Sequence, residues 1–141
     1  EELMRIMAID YGDAHTGIAI SDPTGLLAGF TTVINSRRQE VVVEQVTLLA
    51  KEHGAEELVL GHPVNMDGTL GPRSEKAKAM KALLEEATAL PVVLWDERRT
   101  TIDPHNILFN SGKNAKQRKK VVDAVAASLI LEGYLTFKKS H

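Results

Sequence analysis

The spacing of apolar positions along the chain changes several times, and each change marks an element. From Leu3 to Ile9 the chain is mostly apolar, and the run ends at Asp10. Tyr11-Gly12-Asp13 turns the chain, and a second apolar run occupies Gly17 to Ser21. A third strand, rich in β-branched residues, is predicted over Ala28 to Ile34 behind a Pro23-Thr24-Gly25 turn signal. Three short strands in succession predict an antiparallel meander. From Gln39 the period lengthens: Val42, Val43, Val46, Leu49 and Ala50 recur at helical spacing until Gly54 stops the pattern. Leu58 to Leu60 predict a short buried strand, and His62 to Gly71 a loop rich in turn formers. Pro72 or Ser74 opens the next helix, with Ala77, Met80, Leu83, Leu84 and Ala87 as its apolar positions. Pro91 ends it and begins the all-apolar strand Val92 to Trp95. A short helix from Thr101 or Asp103 through Phe109 and a last helix from Val121 to Phe137 complete the series.

Apolar strands separated by a helix imply right-handed parallel crossovers. A meander followed by parallel strands predicts an α/β fold, a mixed sheet with helices on both faces. The 141 residues fit a single domain, 1–141, with Glu1 to Leu3 read as an extension ahead of a natural start at Met4. No cysteine is present, which excludes disulfides, thiolate metal sites and cysteine nucleophiles. No apolar run approaches the roughly 18 to 20 residues that span a bilayer, so a cytoplasmic protein with no membrane partner is expected.

Net charge is only -2, but residues 1–70 hold 4 Lys/Arg against 11 Asp/Glu and residues 71–141 hold 13 against 8. The second half is therefore the candidate polyanion face. Its cations concentrate in Lys113, Lys116, Arg118, Lys119 and Lys120, a run that a solvated loop and helix start would also explain.

Ligands of open α/β sheets gather beyond the carboxyl ends of the strands. Asp10 closes the first strand there, as a turn former or as a metal ligand. Asp96-Glu97-Arg98-Arg99 follows the last strand, and alternation sends Asp96 and Glu97 to opposite sides, so only one can face Asp10. Asp123, expected in the first turn of the last helix, shares a face with Ala126, Ala127 and Ile130. The helix dipole alone would favour an acid there. Taken together, three acids from separate elements suit Mg²⁺ or Mn²⁺, and two such ions about 4 Å apart could activate water against a phosphodiester. The Gly61 to Gly71 loop leads into a helix N-terminus, so Asn65, Asp67, Gly68 and Thr69 are candidate phosphate contacts. Arg98, Lys116, Arg118, Lys119 and Lys120 are candidate substrate-binding cations. His62 is read as structural.

Asp10-Tyr11-Gly12 with Gly17-Ile18-Ala19 and Ser21-Asp22, Leu58 to Gly61 with Pro63 and Asn65-Met66-Asp67-Gly68-Thr69, Trp95-Asp96-Glu97-Arg98 with Thr100-Thr101, and Val122-Asp123 with Ala126-Ala127 occur in an order that resembles the YqgF/RuvX family almost end to end. The resemblance implies an RNase H-like fold with sheet order 3-2-1-4-5. It also implies that Asp10, Glu97 and Asp123 are the catalytic metal ligands, leaving Asp96 aside. The implied activity is metal-dependent hydrolysis of structured nucleic acid, first as 5′-end processing of pre-16S ribosomal RNA. A Holliday-junction resolvase acting on four-way DNA is the alternative. Asp103-Pro104-His105 departs from the small helix-forming residues expected after the paired threonines, and a proline there delays the short helix.

Two other classes stand beside the nuclease. A non-catalytic RNA-binding module of ribosome assembly would use the same fold without the acids, and an actin-like ATPase would need a second lobe that 141 residues leave no room for. A paired cut of a branched junction calls for a homodimer whereas a single RNA cut does not. Oligomeric state is thus open: Met66, Leu70 and Trp95 are candidate interface residues, and core or loop packing explains them equally well.

Overall fold

A computed structural model describes residues 5–22, 28–63, 67–97 and 115–140. Strands β1 (Ile6–Asp10), β2 (His15–Ser21) and β3 (Ala28–Asn35) lead to helix α1 (Gln39–His53); β4 (Glu57–His62), α2 (Pro72–Thr88), β5 (Val92–Asp96) and α3 (Ala115–Ser140) follow. The expected short helix between Thr101 and Phe109 lies outside the described residues.

The five strands form one sheet in the order β3-β2-β1-β4-β5. β1 pairs antiparallel with β2 and β2 with β3, whereas β4 runs parallel to β1 and β5 parallel to β4. The meander, the parallel half and the order that the resemblance implied are all present.

Alternation along the strands divides the interior into two layers. Met7, Ile9, Ile18, Ile20, Leu58 and Leu60 face α1 and α2, with Val42, Val46, Met80 and Leu84 packed against them. Ile6, Ala8, Ala19 and Val59 face the opposite way, onto Ala127, Ile130, Leu131 and Tyr134 of α3. Both faces are covered, which is why the β1 and β4 runs are apolar without interruption. Gly54 closes α1 in the left-handed conformation, φ 68°, which glycine adopts without the clash of a β-carbon.

Two expectations change, and one open choice is decided. Leu83 is 38% exposed and Ala87 is also exposed, so the buried stripe of α2 is the narrower set Ser74, Ala77, Met80 and Leu84. The last helix begins at Ala115 rather than Val121, because Ala, Lys, Gln and Arg favour helix even where no apolar face announces it. Trp95 is buried and meets Tyr134 and Phe137 edge-on at 5.7 Å each, which makes it a core residue rather than an interface one.

Candidate active site

The two-residue period sets the direction of each acid at the sheet's carboxyl edge. In β1, Ile6 and Ala8 face α3, so Asp10 leaves the strand on that side. In β5, Val93 and Trp95 face α3 while Val92 and Leu94 face the other layer; the next step turns Asp96 away and Glu97 towards α3. Glu97 does lie there. A β-carbon built on Gly61 would meet Glu97 Oε1 at 2.5 Å and Ile130 Cδ1 at 2.8 Å.

Glycines make the room. Asp10 is paired with Gly17 in β2, and the β1-β4 register, carried one residue past the Ile9-Leu60 pair, sets Gly61 on its other side. The Glu97 carboxylate above Gly61 is therefore about one strand spacing, ~5 Å, from the strand that ends in Asp10. Asp10 and Glu97 line one cleft with Tyr11, Asp13, Arg73 and Lys76 among its walls. Its cavity volume among the described residues is about 30 Å³. That admits a few waters or ions and falls well below the ~300 Å³ at which sites for larger ligands begin.

The acids of the cleft face cations on α2. Arg73 and Lys76 stand three residues apart in the first turns of that helix, both exposed. Lys76 Nζ lies 3.2 Å from Asp13 Oδ1, an exposed pair worth at most ~1 kcal/mol. Sequence reading passed over Arg73, Lys76 and Asp13. The available signal was two cations near a helix N-terminus, where the helix dipole favours acids. Behind them, His62 Nε2 and the buried Ser74 Oγ share a 2.6 Å hydrogen bond that ties the start of α2 to the end of β4. His62 thus has the structural contact expected of it.

Among the described residues no three His, Cys, Asp or Glu side chains converge on one point. Asp10 and Glu97 are the pair that is brought together. Position 123 belongs to α3, with its side chain outside the described residues. It is the ninth residue of that helix and not in its first turn, so the helix dipole no longer accounts for an acid there. α3 runs against the direction of β4: Tyr134 reaches Glu57 at the strand's start, and Ile130 meets Gly61 near its end. Two turns earlier, on the stripe of Ala127 and Ile130, position 123 comes to the carboxyl edge of the sheet.

The other expected substrate contacts lie apart. Asp67 Oδ1 accepts hydrogen bonds from the Thr69 amide at 3.0 Å and its hydroxyl at 2.7 Å, with Gly68 at φ 89° between them. This is an exposed turn that organises itself, and none of the three residues lines the cleft. Asn65 and Arg98 lie outside the described residues. Lys116, Arg118, Lys119 and Lys120 occupy the first turns of α3, their side chains outside the described residues.

The donor set fits a hard divalent cation. Asp10 and Glu97 offer carboxylate oxygens only, no thiolate exists in the chain, and two adjacent acids repel unless a cation lies between them. Among the described residues no helix is long and apolar enough to cross a membrane.

Solved structures and related sequences agree with this architecture. The fold matches Thermus thermophilus RuvC in complex with a Holliday junction substrate at TM-score 0.65, covering 96% of this chain and 97% of that one, at 12% identity. Such a likeness shows the fold, RNase H-like, and nothing more. A protein of Halothermothrix orenii named "Putative pre-16S rRNA nuclease" is 42% identical over 135 residues, 96% of each chain. One of the same name from Clostridium botulinum is 42% identical over 132 residues, 94% of this chain and 96% of that one. Residues 4–137 match the family described as RuvX: Holliday junction resolvase, and the chain belongs to that family of nucleases.

Proposed function

We propose that this protein is a metal-dependent endonuclease that hydrolyses phosphodiesters in structured RNA, in the 5′-end processing of pre-16S ribosomal RNA. The observation that carries the reading is the seating of the Glu97 carboxylate over Gly61, beside Asp10, in a cleft sized for ions and water. The names of the relatives supply the substrate.

Asp10 and Glu97, with Asp123 as third ligand, would hold one or two Mg²⁺ or Mn²⁺ ions. When bound, these ions acidify water and neutralise charge on the phosphate. The side chains contribute the rest. Glu97 and Asp10 accept hydrogen bonds from water in the cleft and fix its direction of approach, and their negative charge keeps that water polarised. The cations on α2 and at the start of α3 draw in the polyanion that two carboxylates alone would repel. Asn65, Asp67, Gly68, Thr69 and Arg98 are proposed contacts to the strand away from the cleft.

The family description favours a second reading, hydrolysis of four-way DNA junctions. That reaction needs two symmetry-related sites and hence a homodimer. One assay separates the readings: precursor 16S RNA fragments and four-way DNA junctions are incubated with the protein, with and without MgCl₂ or MnCl₂, beside Asp10→Asn. Metal-dependent RNA cleavage that Asp10→Asn abolishes is the expected result. Cleavage of junctions alone would move the assignment to DNA. Intact substrates throughout, with Asp10→Asn binding RNA as the wild type does and Lys119→Glu/Lys120→Glu binding none, would make the protein a non-catalytic RNA-binding module.

A further inference from the structure

Charged side chains in the opening turns of α2 are partnered with one exception. Glu75 faces Lys78 at 3.9 Å, and Lys76 faces Asp13 at 3.2 Å. Arg73 lines the same cleft as Asp10 and Glu97, yet makes no hydrogen bond or ion pair with any described residue. It is exposed, while its neighbour Ser74 is fully buried and anchored on His62, so the backbone that carries the guanidinium is fixed and its side chain is free to swing.

We propose that Arg73 is the phosphate clamp of the cleft, binding the non-bridging oxygens of the phosphodiester that the carboxylate side addresses. This assignment deepens the nuclease reading and rests on it. A guanidinium presents parallel N–H donors that match two phosphate oxygens, stays charged at any working pH, and forms or breaks no covalent bond in the reaction. Its place in the same cleft as the acids suits a phosphate: hydrolysis loads negative charge onto the non-bridging oxygens, and a fixed-charge donor in the cleft wall stabilises that charge as it grows. Lys76 differs. Its ammonium is already engaged by Asp13 of the β1-β2 turn, which leaves Arg73 as the cleft cation available to the phosphate.

The test uses Arg73→Gln and Arg73→Lys, with Lys78→Gln as a control for loss of one exposed cation on the same helix. Two measurements are made: kcat/KM on a precursor 16S RNA fragment with MgCl₂, and the dependence of binding on KCl for the same fragment without metal. Arg73→Gln is expected to lower kcat/KM by about 10²- to 10³-fold, as for loss of one preorganised transition-state donor. It should also flatten the slope of log K against log [KCl] by about 0.7 to 0.9, one phosphate contact. Arg73→Lys should restore the slope but only part of the rate, and Lys78→Gln should change the rate less than threefold. Wild-type slope and rate in Arg73→Gln, beside an inactive Asp10→Asn, would overturn the clamp and leave the nuclease standing. If no substrate is cut, the nuclease reading fails instead, and an unchanged salt slope then overturns the clamp by itself.

Discussion

Glu97 Oε1 stands 2.5 Å from where a β-carbon of residue 61 would be, and the space exists because residue 61 is glycine. The relation joins β4 to the segment after β5, since Gly61 and Trp95 are paired across the two strands and Glu97 returns over its neighbour. Gly61→Ala would place a methyl 2.5 Å from that oxygen and 2.8 Å from Ile130 Cδ1, closer than real contacts allow. The carboxylate is the part able to move. Gly61→Ala is therefore expected to displace Glu97 and lower cleavage by about 10²-fold, with an overpacking cost of about 1–3 kcal/mol against urea. Wild-type turnover in a folded Gly61→Ala protein would show that Glu97 need not occupy this position.

Two carboxylates lining one cleft make its stability respond to divalent ions, independently of any substrate. A ligand that binds only the folded state adds RT ln(1 + [L]/Kd), about 2.7 kcal/mol at a hundred times Kd. MgCl₂ or MnCl₂ should raise the melting temperature of the wild type and have little effect on Asp10→Asn or Glu97→Gln. Each substitution should also reduce metal-dependent cleavage about a thousandfold or more. Equal thermal shifts in wild type and variants, followed by calorimetry or circular dichroism, would place the ions elsewhere.

Much of this arrangement could be read from periodicity, because a strand covered on both faces must be apolar at every position. The point at which Ile9 gives way to Asp10 then marks the sheet's carboxyl edge. The same alternation limits Asp96 and Glu97 to one inward-facing acid. Arg73 and Lys76 escaped notice because helical period shows which positions turn outward, but not that β1's turn and the end of β4 stand opposite. The start of α3 at Ala115 escaped for another reason: a run of Lys and Arg has high helix propensity and no apolar stripe to register it. Gly61 read as part of a strand end, and its role as space for Glu97 depends on a crossover thirty-odd residues long that no local pattern encodes.

Far from the cleft, Glu57 at the start of β4 accepts hydrogen bonds from Tyr134 at 2.9 Å and Lys138 at 3.0 Å. Burial, and then the hydrogen bond and charge of Glu57, push the Tyr134 hydroxyl up to about 12. In the unfolded chain a tyrosine loses its proton near 10. Between these values the unfolded state binds fewer protons, so stability present below pH 10 declines as pH rises towards 12. The contribution lost is on the order of 1–2 kcal/mol once partial solvent screening is allowed for. Urea unfolding at stepped pH should show a steeper alkaline decline in wild type than in Tyr134→Phe. Parallel declines would mean that the hydroxyl is not held neutral by the fold.

The ninth position of α3 provides the remaining test of the acid set. An acid in a helix's first turn is stabilised by the backbone dipole, but the effect fades within that turn, and α3 begins eight residues before Asp123. Ala127 and Ile130 lie on the stripe by which α3 rests on the sheet, Ile130 already touches the Gly61 position over which Glu97 lies, and position 123 precedes Ile130 by two helical turns. A carboxylate at position 123 is the proposed third ligand of the same cleft. Asp123→Asn is expected to weaken Mn²⁺ binding about 10- to 100-fold in a calorimetric titration and to reduce cleavage with it, while RNA binding without metal stays within threefold. Wild-type Mn²⁺ affinity in Asp123→Asn would reduce the ligand set to Asp10 and Glu97.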